Sequence, residues 1–230
     1  MKIGVLGTGS VGQTLASRLV ALGHEVMIGT RNVQEALDRT TKDFYGNPGF
    51  GEWYKVNSGI KLGTFAAAIA FGEMIFNATQ GINSVHALQS AKPDDLKEKI
   101  IVDVSNPLDF SKEMPPSLIP ELSNTNSLGE EIQKTFPQAH VVKTLNTMWC
   151  GLMVNPAMIG GGDHVNFLCG NSQEAKIRVK VLLKEFGWKE ENLLDLGGIT
   201  NARASESVLP IWLRIWSVRK NGVFNLKIVG

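Results

Sequence analysis

Three glycines near the start of the chain stand at a spacing that can cradle a phosphate. Gly7, Thr8, Gly9, Ser10, Val11 and Gly12 spell GxGxxG directly behind the short apolar run Lys2–Leu6. In that pattern the first glycine permits a tight turn and the second lets backbone N–H groups approach a pyrophosphate. The third lets the following helix lie close on the strand. A helix N-terminus adds unpaired N–H donors and a partial positive charge aimed at the same anion. The motif is weak alone and gains force from its surroundings. Residues 13–22 place Leu15, Leu19 and Leu22 on one side at helical spacing and stop at Gly23, and residues 25–29 return as a second apolar strand. Strand, glycine turn, helix and strand in this order predict a dinucleotide site.

The end of the second strand discriminates between dinucleotides. A carboxylate there accepts hydrogen bonds from free ribose hydroxyls, as NAD sites require. This chain has Thr30, Arg31 and Asn32 instead. A guanidinium flanked by a hydroxyl and an amide suits a 2'-phosphate through charge-assisted bonds, which favours NADP. The bland alternative is that Arg31 is a solvated loop charge.

Acid–base machinery is hard to find. There is no HExxH, no GxSxG and no metal-ligand spacing, and His24, His86, His140 and His164 are scattered. His24 and His140 read as structural, with His86 and His164 as weak catalytic candidates. Reduction of a ketone needs a proton donor, for which Lys143 or His86 would have to serve. Hydride transfer between nicotinamide and a flavin-like ring needs only aligned, stacked rings. Met148, Trp149 and Arg203, with the aromatic stretch 44–59, are the candidates for an acceptor pocket. Trp149 could stack on a ring and Arg203 could hold a phosphate or acidic tail. A core tryptophan and a surface arginine are the competing readings. Trp212 and Trp216, four residues apart, read as core or dimer interface.

The elements that must position these groups alternate along the chain. Apolar runs at residues 60–64, 73–78, 99–104 and 140–145 are separated by helical patterns, which predicts a doubly wound, mostly parallel α/β sheet of the Rossmann type. Ligands in such sheets sit beyond the carboxyl ends of the strands, so Thr79, Gln80, Ser105 and Asn106 are candidate contacts by position. Each could equally be a turn or cap residue. Residues 44–59 read as a long surface loop, with Phe44, Tyr45, Phe50, Trp53 and Tyr54 favouring an ordered lid or interface. Residues 109–126, with Pro115, Pro116 and Pro120, read as a connector. Beyond the glycine run 160–162 come a strand, an amphipathic helix over 172–186, a short strand, a helical tail over 201–219 and a closing strand over 222–229. The expected organisation is an NADP-binding domain over residues 1–150 and a small α+β part over 151–230 that completes the acceptor pocket or a dimer interface.

Bulk properties narrow the classes further. The 230 residues are 43% hydrophobic and 20% charged, with a formal net charge of +1. No global field points to nucleic acid or an anionic membrane. The most apolar stretch, 65–78, is broken by Gly72 and Glu73 and is too short to span a bilayer as one helix. Cys150 and Cys169 form no disulfide framework, and the chain opens on a strand instead of a signal peptide, so a reducing cytoplasm is expected.

With these segments in view, the chain resembles the deazaflavin-dependent NADP oxidoreductases, which exchange hydride between NADP and 8-hydroxy-5-deazaflavin. It is also similar to the cytosolic reductase domain of the six-transmembrane metalloreductases. The carrying segments are IGVLGTGSVGQTLASRLVALGHEVMIGTRN, VDVSNPL, VVKTLNTMW, DHVNFLCGN, and the tail from ITNARASES to RKNGVFNLKIV. The resemblance implies that Gly7, Thr8, Gly9, Ser10, Val11 and Gly12 hold the pyrophosphate and that Thr30, Arg31 and Asn32 hold the 2'-phosphate. It assigns the ribose and nicotinamide to Ala78, Thr79, Gln80, Asn106 and Pro107, and turns Asn146, Thr147, Met148 and Trp149 toward a second ring. The deazaflavin enzymes carry His at the position of Asn146, whereas LNT resembles the metalloreductase branch, so the acceptor stays open between flavin and deazaflavin. A non-catalytic NADP-binding redox sensor and a small-molecule dehydrogenase are the alternatives. Imine reductases and 3-hydroxyacid dehydrogenases share the fingerprint but append a long helical domain, which the short, strand-containing region after residue 162 does not fit.

Overall fold

The computed structural model describes residues 1–42, 46 and 48–230. In chain order, β1 (Lys2–Leu6) passes through the glycine turn into α1 (Ser10–Ala21) and β2 (Glu25–Thr30). Then come α2 (Val33–Asp38), α3 (Phe50–Lys55), β3 (Lys61–Thr64), α4 (Phe65–Phe71), β4 (Met74–Asn77), α5 (Gly81–Gln89) and β5 (Ile100–Asp103). A short antiparallel pair, β6 (Leu108–Asp109) and β7 (Ser117–Leu118), precedes α6 (Leu128–Thr135) and β8 (His140–Thr144). The chain continues as α7 (Cys150–Val154), β9 (Asn166–Gly170), α8 (Gln173–Glu185), β10 (Leu193–Asp195), α9 (Ala202–Ser207) and α10 (Leu209–Arg219).

Every residue of β4 and β5 is buried, which is why residues 74–76 and 100–102 read as unbroken apolar runs, while the last residues, Asn77 and Asp103, bond to each other at 2.8 Å. They lie inside an eight-stranded sheet of order β10-β9-β8-β5-β4-β1-β2-β3. Neighbouring strands are parallel except β8 and β9, which pair antiparallel with Val142 opposite Gly170. Helices cover both faces over two apolar layers. Leu15, Leu19, Val179 and Leu183 pack with Val5 and Phe76 on one, and Ile69, Leu88 and Ile132 pack with Leu6 and Ile101 on the other. Strand order reverses between β1 and β4, and that switch point opens a crevice at their carboxyl ends. Among the described residues, no helix is long and apolar enough to cross a membrane.

Three expectations are revised. Residues 222–229 form no strand: Phe224 N–H turns back onto the Gly222 carbonyl at 2.9 Å, and Val165 N–H donates to the Leu226 carbonyl at 2.9 Å. Their alternating pattern finds no ladder, and Asn225 instead donates from its side chain to the Val165 carbonyl at 2.9 Å. The stretch read as a long loop contains α3, seated against α2; Phe44 and Tyr45 lie outside the described residues. The proline-bearing connector holds the β6–β7 pair. Caps follow the sequence more closely. Asn32 accepts from the amides of Gln34 and Glu35 at the start of α2, and Ser127 accepts from Glu130 at the start of α6.

Candidate functional site

The glycine turn has the geometry its spacing predicts. Gly7 sits at φ +119°, where a side chain is strained, and a Cβ there would lie 2.5 Å from the Ala78 carbonyl oxygen. A Cβ on Gly12 would come within 2.0 Å of the Gly7 carbonyl oxygen, so α1 can approach β1 only through a glycine. A Cβ on Gly9 would meet nothing within 4 Å. That open side faces the first turn of α1, which no side chain caps. A helix N-terminus so placed offers amide donors and a partial positive charge to an anion such as a pyrophosphate.

Beside the turn, a cavity of about 440 Å³ lies between the carboxyl ends of β2 and β4. Gly7, Thr8 and Gly9 form its floor, Thr30, Arg31 and Asn32 one wall, and Ala78, Thr79 and Gln80 the other. Thr79 serves two ends: it lines the cavity and donates to Asn77 Oδ1 at 2.7 Å, fixing the turn after β4. Ser105 is a turn residue, donating to Asp103 Oδ1 at 2.6 Å inside the protein. The sequence reading missed Arg39. Its guanidinium enters the same cavity and donates to Thr8 Oγ1 at 2.6 Å.

A second cavity, of about 950 Å³, is lined by Ser10, the residue that follows Gly9 of the first. α7 packs on α1 and carries Met148 and Trp149 to the side of Ser10 and Val11. Trp53, Trp212 and Trp216 complete an aromatic enclosure, and Arg18, Lys220 and Asn221 bring polar groups to it. Among the described residues its lining holds no histidine or carboxylate, and the Cys150 thiol stands beside Trp149 in it. Trp212 and Trp216, read as core or interface, thus form cavity wall, although Trp212 also stacks on Phe224 at 5.1 Å. Behind Met148, Asn106 and Asn146 lock two strand-end loops together. Asn106 Nδ2 donates to the Asn146 carbonyl at 2.9 Å, and Asn146 Nδ2 donates to Asn106 Oδ1 at 3.0 Å. Asn146 and Thr147 are each 1% exposed, and neither they nor Asn106 and Pro107 are in the lining of these two cavities. Asn146 Oδ1 is buried without a hydrogen-bond partner.

A structure from Arthrobacter sp. FB24, described as a candidate F420-dependent NADP-reductase, is 48% identical and covers 100% of both chains at a TM-score of 0.92. The profile of the NADP oxidoreductase, coenzyme F420-dependent, family matches residues 2–107. The chain belongs to this family. Metalloreductase STEAP3 of Rattus norvegicus is 30% identical over 218 residues; the match takes in 92% of this chain and 38% of that longer protein. A reductive aminase from Aspergillus terreus, solved with NADPH and ethyl levulinate, shares the fold at 16% identity and a TM-score of 0.61, covering 95% of this chain and 62% of the other. NADP-dependent oxidoreduction is therefore the family's chemistry, and the glycine cradle and uncapped α1 fit its nucleotide.

Two residues considered for chemistry in this family member are engaged elsewhere. Arg203 lines neither cavity: it grips Glu130 through two bonds, Nε to Oε2 at 2.8 Å and Nη2 to Oε1 at 2.6 Å, tying α9 to α6. Lys143 cannot serve as a proton donor to a substrate, because its side chain is 0% exposed and its ammonium is shared among Asp103 Oδ2 at 2.7 Å, Glu206 Oε1 at 2.8 Å and the Ser105 carbonyl at 2.6 Å. Burial pushes that ammonium down, and the two carboxylates outweigh it, leaving it above the ordinary lysine value. His164 is buried, bonded to the Pro156 carbonyl at 2.8 Å and to Asn225 at 2.7 Å, and is structural. His24 and His140 pair with Glu185 and Glu98. His86 lines the smaller cavity.

Proposed function

We propose that this chain transfers hydride between NADPH and a flavin or 8-hydroxy-5-deazaflavin. The observation that carries the reading is a pair of unlike cavities lined by consecutive residues, Gly9 in one and Ser10 in the other: the first a phosphate cradle, the second an aromatic wall with no histidine or carboxylate among the described residues. Bound NADPH supplies a hydride. The chain's contribution is binding and alignment. The α1 amides and Gly7–Gly12 hold the pyrophosphate, and Thr30, Arg31 and Asn32 take the 2'-phosphate. Ala78, Thr79 and Gln80, with the interlocked Asn106, Pro107, Asn146 and Thr147 loops, fix the ribose and nicotinamide end. Met148, Trp149 and the facing tryptophans offer a planar acceptor flat surfaces to stack on and keep water off it. Arg18 and Lys220 give a phosphate or acidic tail a cationic rim. In this reading residues 1–150 hold the nucleotide, and residues 151–230 supply much of the acceptor wall.

The test is rapid mixing of the protein and NADPH with FMN, FAD, riboflavin and a deazaflavin, following loss of the reduced nicotinamide absorbance. Turnover with at least one of them is expected. No oxidation with any, despite tight NADPH binding, overturns the proposal in favour of a redox-sensing module.

A further inference from the structure

The cation nearest the glycine turn was not in the sequence motif, and its construction is specific. Arg39 lies just past the C-terminal end of α2, and Arg31 lies just before its start. A six-residue helix rises about 9 Å, so the two guanidinium groups enter one cavity from the two ends of α2. Arg39 donates to Thr8 Oγ1, while Phe50 lies beneath it with the ring centroid 5.9 Å from Cζ. The seat of Arg39 is made by two close backbone approaches. Gly51 N–H donates to the Arg39 carbonyl at 2.9 Å. A Cβ on Gly51 would fall 1.9 Å from the Leu37 carbonyl oxygen, and one on Gly49 2.4 Å from that of Arg39. Gly49, Phe50 and Gly51 thus let α3 close on α2 with an aromatic platform under the arginine.

Charge balance says what this arginine is for. Glu35 lies in the same cavity, where its Oε1 accepts from Asn32 Nδ2 at 2.9 Å as part of the α2 cap. Its negative charge cancels that of Arg31, so without Arg39 the wall has no net attraction for a dianion. We infer that Arg39 is the second arm of a two-arginine clamp on the 2'-phosphate, with Thr8 as the hydroxyl it holds ready. The inference rests on the nucleotide reading above and specifies what makes that site prefer NADP to NAD. Thr8 joins the phosphate as a further donor, and the planar fork of Arg39 binds it bidentately from the face opposite Arg31.

Calorimetric titration of 2',5'-ADP and of 5'-ADP separates the possibilities without any turnover. Wild-type protein is compared with Arg39→Met, which keeps an apolar stem over Phe50, with Arg39→Lys, and with Arg31→Ala; thermal melts confirm that each is folded. Arg39→Met is expected to weaken 2',5'-ADP by tenfold or more, the scale of a charge-assisted bond at about 1.5–3 kcal/mol, and to leave 5'-ADP unchanged. Arg39→Lys is expected to recover only part of the loss, because a point charge lacks the fork. Equal weakening of both nucleotides would place Arg39 on the adenosine or 5'-phosphate and overturn the inference. Undiminished preference for 2',5'-ADP in Arg39→Met would overturn it alone, with the NADP site intact. A wild-type protein that binds neither nucleotide would overturn the nucleotide reading and this inference together.

Discussion

Replacing Lys143 by Met removes the one cation of a dry charge triad. The wild-type ammonium meets three acceptors: Asp103, Glu206 and the Ser105 carbonyl. Without it, Asp103 Oδ2 loses its partner, although Oδ1 still accepts from Asn77 Nδ2 at 2.8 Å and Ser105 Oγ at 2.6 Å. Glu206 keeps the amides of Leu128 and Gly129 at 2.9 and 3.1 Å, where it caps α6. Two buried carboxylates would then share the site with no counter-charge. Breaking such a pair costs about 3–5 kcal/mol, a large share of the roughly 5–15 kcal/mol that holds a domain folded. Urea unfolding of Lys143→Met should show this loss as a shifted midpoint, and adding Asp103→Asn and Glu206→Gln should return more than half of it. The pH dependence has a definite sign. Burial raises the Glu206 carboxyl above its ordinary 4.5, more than Lys143 lowers it. A raised carboxyl favours the folded state while protonated and loses that contribution as pH rises through its folded value. The deficit of Lys143→Met should therefore narrow on acidification toward 4.5, as Glu206 takes up its proton. A deficit below about 1 kcal/mol, the scale of an exposed pair, or no recovery in the triple variant, would refute the view of Lys143 as the keystone of the triad.

Other outcomes follow from the same contacts. Arg31→Ala should cut the preference for NADPH over NADH by about 2 kcal/mol, read by titrating both; equal loss for the two would contradict the 2'-phosphate assignment. Trp149, 37% exposed in the aromatic enclosure, should contribute about 1 kcal/mol of stacking, so Trp149→Ala should raise the acceptor KM roughly fivefold while leaving NADPH affinity alone. Burial pushes the Cys169 thiol up to about 12, so mild alkylation followed by mass spectrometry should modify half-buried Cys150 first and Cys169 only after denaturation. Arg203 holds the Glu130 carboxyl below its ordinary 4.5. Its stabilising effect is present above that value and fades as pH falls through the lower folded one. Thermal melts of Glu130→Gln should accordingly show a shallower decline in acid.

Much of the nucleotide half was legible because its signals are local. The turn glycines, the leucines of α1 and the buried runs of β4 and β5 are each decided within a few residues of themselves. Arg39 was missed because its role depends on α3, and α3 is fixed by Gly51 fitting under the Leu37 carbonyl, a contact that no periodicity announces. The tail failed for the opposite reason. Residues 222–229 alternate like a strand, but alternation records only that one side is covered. Here the cover is Trp149 against Gly222 and Trp212 against Phe224, with no neighbouring strand to pair with. Arg203 and Lys143 have side chains suited to a site, yet their partners Glu130, Asp103 and Glu206 are distant in sequence, and only the fold shows that both are engaged.

The step from Gly9 to Ser10 also separates the two linings along the sequence. Among the described residues, those lining the cavity beside the glycine turn fall between Gly7 and Ala87, whereas the aromatic cavity is assembled from residues 10–18, 48–53, 148–154 and 212–223. On the proposed reading, substitutions in the last two stretches would remodel the acceptor wall and leave the nucleotide cavity as it is, and recoding Arg31 or Arg39 would change the coenzyme without touching the tryptophans. A protein built this way can exchange one redox partner at a time. For an engineer, the route to a new acceptor begins in α10 and the segment after it, with the coenzyme half left as it is.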